Sequence, residues 1–357
     1  MSIFIELAET GRLPDRLIRF GIGLLNRKRL REEHRGGTVA LREHQRAFVA
    51  MLRNSPIAVL TEAANEQHYE VPPEFFSLVL GKRRKYSCCY YPAGNESLNE
   101  AEEEMLSLTC ERAQIQDRMD ILELGCGWGS LTLWMAEHYP KTKITAVSNS
   151  APQREFIQGR CRELDIKNVE VITSDMNHFT TNKRFDRAVS VEMFEHMRNY
   201  ELLLRRVASW LKQDGRLFVH IFCHKEFAYL FEIEGEDNWM GKYFFSGGIM
   251  PSDDLLLYFQ DDVALEDHWR VDGTHYERTA NHWLENMDSR KDEIMPVLER
   301  TYGKKDAAVW FQRWRIFFMA CAGLWGFRHG QEWWVAHYLF RKRQLQTEIA
   351  TNDRLQS

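Results

Sequence analysis

Two carboxylates and an imidazole occur within five residues near the middle of the chain. Glu192, Glu195 and His196 belong to the sequence VEMFEHM, which follows a predicted buried strand. If an α-helix began here, the i, i+3 and i+4 spacing would place all three side chains on one face. Carboxylates attract an ammonium group, and an imidazole can accept its proton so that the nitrogen lone pair can attack. The motif therefore predicts a site that acts on an amine.

Two other interpretations of this motif stay open. Acidic residues at the start of a helix can simply favour the helix dipole, with His196 on the surface. A metal site is the second alternative, but no other ligand cluster accompanies the motif, and the seven cysteines include no CxxC pair. We expect no metal. The position after the fourth predicted strand favours the catalytic interpretation, because ligands bind at the carboxyl ends of parallel strands.

A glycine-rich loop, GCGWG, begins at Gly125 and follows the first predicted strand. Glycines let the backbone approach a ligand closely, and the helix that follows offers free N–H groups at its start. Glu123 precedes the loop, and Asp175 follows the third predicted strand. This combination is typical of S-adenosylmethionine (SAM) methyltransferases, and it makes SAM the expected cofactor.

A nicotinamide-dependent enzyme is disfavoured by the end of the second predicted strand. Such an enzyme would carry an acid there to hold the ribose hydroxyls. This chain has the neutral residues Ser148, Asn149 and Ser150, with Gln153 one turn later. These neutral polar groups could hydrogen-bond a ribose instead.

Short apolar runs alternate with helical segments through the middle of the chain. The runs predicted as strands are 119–124, 143–147, 169–172, 185–191 and 216–222, with helices at 131–138, 151–164 and 201–211. This alternation predicts an α/β fold with a Rossmann-like, class I SAM methyltransferase core. We expect a helical N-terminal cap at 1–85, a SAM-binding core at 86–225, and a substrate lid with the end of the core sheet at 226–357.

Composition restricts the partners and the location. The 357 residues carry a net charge of −5, so no overall positive field favours nucleic acid. The apolar runs are too short to span a bilayer, the N-terminus lacks a secretory signal, and the odd number of cysteines favours a reduced compartment. We expect a cytoplasmic protein without an integral membrane segment; a homodimer stays open.

The segment from Arg12 to Arg46 is basic, with ten Lys/Arg residues against four Asp/Glu residues. A basic helix can contact a membrane surface or an acidic partner. The alternative, a solvated helix face that packs on the rest of the protein, is the better interpretation, because Glu32, Glu33 and Glu43 balance its later part.

Four sequence runs together resemble the cyclopropane-fatty-acid-synthase superfamily, and closely its coclaurine N-methyltransferase branch. They are KYSC at 85–88, LELGCGWG at 122–129, SNS at 148–150 and EMFEHM at 192–197. The resemblance extends from about residue 60 to about residue 343. It implies methyl transfer from SAM to the nitrogen of a small cyclic, tetrahydroisoquinoline-like amine.

One position separates the branches. The fatty-acid synthases usually have glycine in place of Glu192 and use a bound bicarbonate as base. The N-methyltransferases have glutamate there, as this chain does, so the resemblance implies that Glu192, Glu195 and His196 handle the amine. The implied SAM contacts are Tyr86, Ser87, Gly125, Gly127, Asn149, Gln153, Asp175 and Met176. The implied substrate-pocket residues are Tyr69, Phe245, Trp325 and Trp333.

Two rival functions remain. A synthase-like lipid methyltransferase would suit the basic N-terminal segment, but Glu192 disfavours it, because an additional carboxylate helps a cationic amine and hinders a neutral alkene. A non-catalytic SAM-binding protein is disfavoured by the intact Glu-Glu-His set.

Overall fold

A seven-stranded sheet forms the centre of the protein. The computed structural model describes residues 3–59, 71–231 and 238–343. The strands are β1 (Asp120–Leu124), β2 (Lys143–Ser148), β3 (Val169–Thr173), β4 (Phe185–Val191), β5 (Leu211–His224), β6 (Tyr229–Leu230), β7 (Ile249–Met250), β8 (Val263–Val271) and β9 (Trp333–Lys342). The central sheet has the order β3-β2-β1-β4-β5-β9-β8, and β6 pairs with β7 separately.

The first five strands run parallel, as the alternation predicted. β1 lies between β2 and β4, and four of its five residues are buried because helices cover both faces of a parallel sheet. The predicted α/β, Rossmann-like fold class is confirmed. Because β1 and β4 are neighbours, the segments that follow Leu124 and Val191 lie side by side at one edge of the sheet.

The far side of the sheet is antiparallel. β9 pairs with β5 from Arg216 to His224 and with β8 on its other side. The sequence predicted that the last part of the sheet lies within 226–357, but it did not predict where β8 and β9 begin and end. β5 is also longer than the predicted run at 216–222, because its partner β9 extends the ladder.

Helices cover the sheet. Helices from the N-terminal and C-terminal parts of the chain pack together and form an additional layer. They are α1 (Ile3–Glu9), α2 (Asp15–Glu33), α3 (Gly37–Arg53), α4 (Pro73–Val79), α5 (Leu98–Arg112), α6 (Ser130–His138), α7 (Ala151–Glu163), α8 (Tyr200–Trp210), α9 (Trp239–Tyr243), α10 (Gly273–Ser289), α11 (Lys291–Tyr302) and α12 (Ala307–Trp325), with 3₁₀ turns at Phe194–His196 and Leu255–Tyr258. No helix in the described ranges is long and apolar enough to cross a membrane.

The N-terminal helices pack on the C-terminal ones. Asn26 of α2 donates a hydrogen bond of 2.9 Å to the carbonyl of Gly323 in α12. Arg315 of α12 pairs with Asp15 at 2.8 Å, and Arg313 pairs with the buried Glu9 at 3.1 Å. These polar contacts fix α1 and α2 against α12, which also lines the candidate site.

Candidate active site

Two adjoining cavities open at the carboxyl ends of the parallel strands. The larger cavity, of about 180 Å³, has the ends of β1 and β4 on one side and α10 and α12 on the other. The smaller cavity, of about 80 Å³, lies beside the ends of β2 and β3. Both cavities are lined by Gly125, Gly127, Gln153, Glu192 and His196, so these residues surround the place where the two meet.

The glycine loop shapes the wall between the cavities. Gly125 has φ +79°, and a Cβ there would lie 2.5 Å from the Cγ of Met193, so only glycine fits between the β1 and β4 loops. Gly127 has φ +51°, and a Cβ there would meet no atom within 4 Å, so its backbone faces open space. The loop leads into α6, whose first residue, Ser130, also lines the larger cavity.

Unsatisfied polar atoms at this wall fit the expected cofactor. Within the described part of the chain, the buried Ser130 Oγ and Gln153 Nε2 have no hydrogen-bond partner. Glu123 is buried behind the loop, where burial raises its pKa to about 8 and the Thr132 hydroxyl donates to it at 2.5 Å. Free donors and a buried carboxyl group suit SAM, which carries ribose hydroxyls and a polar amino acid end.

The remaining predicted cofactor residues lie along the same surface. Asn149, Asp175 and Met176 line the smaller cavity, and Tyr86 and Ser87 line the larger one. Each group lines only one of the two cavities, so a ligand that contacts both groups must extend through both cavities, as an elongated nucleoside with an amino acid tail can. Asp175 is held by the backbone N–H of Asn177, which donates to its carboxylate at 2.6 Å.

Gln153 is expected to contribute measurably to cofactor affinity. Its Oε1 accepts a 2.6 Å hydrogen bond from Ser148, which fixes the side chain, and its Nε2 is an unsatisfied donor on a residue that lines both cavities. Gln153→Met removes the amide N–H donor, and with it the acceptor of the Ser148 hydroxyl, at nearly constant volume, so the Kd for SAM should rise about tenfold. Titration calorimetry would measure it. The control Gln158→Met changes an exposed position on the same helix. An unaltered Kd in Gln153→Met would contradict the assignment.

Glu192 is held by three donors from different parts of the chain. Its Oε1 accepts from the Cys88 N–H at 2.9 Å and lies 3.2 Å from His220 Nε2, while Oε2 accepts from the Tyr276 hydroxyl at 2.6 Å. Burial raises the pKa of Glu192, and the nearby cation of Lys85 and the hydrogen bonds from Cys88 and Tyr276 oppose that shift. The carboxylate is therefore fixed in orientation before any ligand binds.

Glu195 has the opposite environment. It is 1% exposed, and its Oε2 has no hydrogen-bond partner among the described residues. Burial first, and then the neighbouring Glu192, raises the pKa of Glu195 well above its usual range. A cation in the larger cavity would satisfy this oxygen and favour the ionised form.

The helical spacing proposed for this motif is wrong. Glu192 has φ +46°, in the left-handed region, and the backbone then makes only a short 3₁₀ turn at Phe194–His196. A tight turn at the end of β4, not one face of an α-helix, brings Glu192, Glu195 and His196 to the same cavity. The ring of His196 lies 4.7 Å from that of Phe245, centroid to centroid.

Several aromatic side chains also line the larger cavity. They are Phe222, Phe231, Phe245, Trp283, Phe317 and Trp325. Trp325 stacks on Tyr276, with ring centroids 4.9 Å apart and planes at 4°. It thus contacts the tyrosine that holds Glu192.

Two predicted substrate residues do not join this wall. Trp333 is fully buried at the start of β9, opposite His224 in the ladder, and its ring packs against His224 and Phe327 with centroids 5.1 and 5.7 Å away. Because those contacts enclose the ring, Trp333 lines neither cavity. Tyr69 lies outside the described residues.

His220 and Tyr276 were not predicted from the sequence, and neither was the position of Lys85 as a cation close to Glu192. Lys85 is 2% exposed, and its Nζ donates to the carbonyl of Cys88 at 2.7 Å and to the Ser87 hydroxyl. Two features of the sequence could have indicated them: His220 lies within an apolar strand, and Lys85 lies directly before Tyr86. No group of three or more His, Cys, Asp or Glu residues in the described ranges could hold a metal ion.

Known proteins are similar to this chain in sequence and in fold over nearly their whole length. Residues 60–332 match the family described as mycolic acid cyclopropane synthetase. The chain is 40% identical to (S)-coclaurine N-methyltransferase of Thalictrum flavum subsp. glaucum, over 96% of this chain and 97% of that protein. It is 38% identical to pavine N-methyltransferase of the same organism, over 95% and 96%.

A solved structure gives the same result. The crystal structure of coclaurine N-methyltransferase bound to N-methylheliamine and SAH has a TM-score of 0.92 at 38% identity, covering 95% of this chain and 99% of that one. The matches confirm the resemblance that the sequence motifs indicated, with SAM as the methyl donor. The chain therefore belongs to the mycolic acid cyclopropane synthetase family, in its coclaurine N-methyltransferase-like branch of SAM-dependent enzymes.

Proposed function

We propose that the protein transfers the methyl group of SAM to the nitrogen of a small cyclic amine of the tetrahydroisoquinoline class. One observation carries the substrate class: two carboxyl groups, those of Glu192 and Glu195, line one cavity with aromatic walls, and the buried Oε2 of Glu195 has no partner among the described residues. A neutral alkene offers nothing to a second carboxylate, whereas an ammonium group would pair with it. The relatives named for coclaurine and pavine, and the N-methylheliamine in the solved relative, support this class.

The aromatic wall suits both halves of such a substrate. Phe245 and Trp325 present ring faces and edges that can stack on a fused aromatic ring. The same rings also attract a cation. This attraction contributes about 0.5–1 kcal/mol at an exposed site and about 2 kcal/mol at a desolvated one. Recognition therefore combines apolar packing of the ring system with charge pairing at Glu195.

His196 is the residue we propose to move the proton. It lines both cavities, so it lies near the place where an amine in the larger cavity would approach a cofactor that extends from the smaller cavity into the larger one. A protonated amine has no free lone pair, and the imidazole would accept its N–H proton before transfer. When bound, SAM supplies an electrophilic methyl group on positively charged sulfur.

Positioning of the reacting groups is the second contribution to the rate of methyl transfer. The walls of the larger cavity are mainly apolar and exclude water from the reacting nitrogen. Glu192 is already oriented by Cys88, His220 and Tyr276. Preorganisation of this kind lowers the entropic part of the barrier by several kcal/mol in well-ordered sites, up to roughly 7–11.

A labelled-methyl transfer assay tests the reaction class. Purified protein with methyl-labelled SAM should label tetrahydroisoquinoline and related cyclic amines. It should not label tetrahydronaphthalene, the carbocycle of the same shape without nitrogen, nor vesicles of unsaturated phospholipid. Label in lipid alone would support the synthase-like alternative, and label in neither would contradict the amine proposal while a SAM titration tests the cofactor site separately.

Location, assembly and domain limits also stay proposals. We propose a cytoplasmic enzyme that can form a homodimer, with a cap at 1–85, a core at 86–225 and a lid at 226–357. The polar contacts of α1 and α2 with α12 support a cap that packs on the lid. Cell fractionation, sedimentation and limited proteolysis would test these three points.

A further inference from the structure

A line of side chains runs from Glu192 through the sheet to Arg112. His220 Nε2 lies 3.2 Å from Glu192 Oε1, and His337 Nε2 lies 2.9 Å from His220 Nδ1. Arg112 Nη1 in turn lies 2.8 Å from His337 Nδ1. The two histidines face each other in the ladder, because His220 of β5 and His337 of β9 occupy paired positions.

The hydrogen bonds in this line can run in only one direction. A guanidinium donates and never accepts, so Nδ1 of His337 must be the acceptor. The proton of His337 then resides on Nε2 and is donated to Nδ1 of His220. That leaves the proton of His220 on Nε2, from which it is donated to Oε1 of Glu192. Arg112 therefore determines which nitrogen of each ring carries the hydrogen.

Both imidazoles are neutral in this arrangement. His220 and His337 are 0% exposed, and burial lowers the pKa of each well below its usual range, assisted by the positive charges of Lys85 and Arg112. A neutral ring has one donor nitrogen and one acceptor nitrogen, as the line requires. Neither ring is therefore a second general base.

We propose that Arg112 and His337 are positioning residues, which act through His220 to present a fixed N–H donor to Glu192. The inference rests on the proposed amine methylation for its kinetic consequence, but the hydrogen-bond line itself does not. A donor at Oε1 favours the ionised carboxylate over the protonated one. Loss of the line should therefore make Glu192 harder to ionise.

Other charged or titratable groups also face this carboxylate and must be held constant. Facing Glu192 are Lys85 and Cys88 from the segment before α5, Glu195 from the 3₁₀ turn, Tyr276 from α10 and Cys321 from α12. Facing the histidine pair are Arg112, Lys85 and His268. The variants below change none of these except Arg112.

The pH dependence of amine methylation tests the proposal. In His337→Leu and Arg112→Met, the acidic limb of the kcat/KM profile for the amine should move up by about one pH unit, which lowers kcat/KM about tenfold at pH values on that limb. His337→Gln should stay within about twofold of wild type, because its amide can accept from Arg112 and donate to His220. KM for SAM should change less than about twofold in all three.

A matched control and a stability measurement separate positioning from folding. Arg216→Gln removes another arginine, which pairs with Glu266 at 2.6 Å on the outer part of the same sheet, and should leave the profile unchanged. If His337→Leu and Arg112→Met only lower the melting temperature and keep the wild-type acidic limb, the proposal is wrong. If wild type methylates no amine, the proposed function fails instead.

Nitrogen NMR gives a readout independent of activity. In protein with ¹⁵N-labelled histidine, the signals lost in the His220→Gln and His337→Gln variants assign the two rings among the 13 histidines. Both should show a protonated Nε2 and an unprotonated Nδ1 from pH 6 to pH 9. In Arg112→Met, the fixed Nε2–H form of His337 should be lost. A ring that titrates near its ordinary pKa of about 6.5 would overturn the proposal.

Discussion

His196→Ala is expected to lower kcat for amine methylation by about 10²–10⁴-fold, the range that a well-placed general base contributes. His196 lines both cavities and lies beside the ring of Phe245. Without the imidazole, the substrate must lose its proton to solvent before its lone pair can attack. Steady-state kinetics with a labelled methyl group would give kcat, and calorimetry would give the Kd for SAM, which should stay within about threefold.

The pH profile of the same variant provides a sharper test. Solvent deprotonates more amine as pH rises, so the His196→Ala rate should increase about tenfold per pH unit below the pKa of the amine. His44→Ala is the control, because His44 is exposed on α3, away from both cavities. Equal losses in kcat and in SAM affinity would show that His196 supports the fold of the site and is not the base.

The common location of the candidate cofactor residues could be predicted because these residues are close in sequence to the strands that position them. Gly125 follows β1, Asn149 follows β2, and Asp175 follows β3. In a parallel sheet the carboxyl ends of strands lie at one edge, so strand order and glycine spacing are sufficient. The alternating apolar runs predicted the strands. The φ of +79° at Gly125 lies in the left-handed region, which explains why glycine occupies this position.

The support around Glu192 could not be predicted, because its partners are distant in sequence. Tyr276 is 84 residues away along the chain, and it reaches Glu192 only because α10 packs over the end of β4. His220 and His337 are 117 residues apart and meet through the β5–β9 register. Residue type alone does not give that register. For the same reason the sequence did not show that His224 and Phe327 enclose the ring of Trp333.

Glu192→Gly is expected to lower kcat/KM for the amine by about 10²-fold, because three donors lose a buried charged acceptor at once. The donors are the Cys88 N–H, the His220 Nε2–H and the Tyr276 hydroxyl. The backbone should keep its shape, since glycine readily adopts the φ of +46° that glutamate holds here. Initial-rate kinetics at varied amine would measure the loss, and SAM affinity should stay within about threefold.

The lost carboxylate should be replaceable by a small anion in solution. Removing the Glu192 side chain leaves a space faced by three donors and by the Lys85 cation, which together suit formate or bicarbonate. Millimolar formate should therefore restore part of the activity of Glu192→Gly. The control Glu192→Gln fills the same space and should not respond to formate. Wild-type kinetics in Glu192→Gly would contradict the role of Glu192, and equal rescue of both variants would show that the anion acts elsewhere.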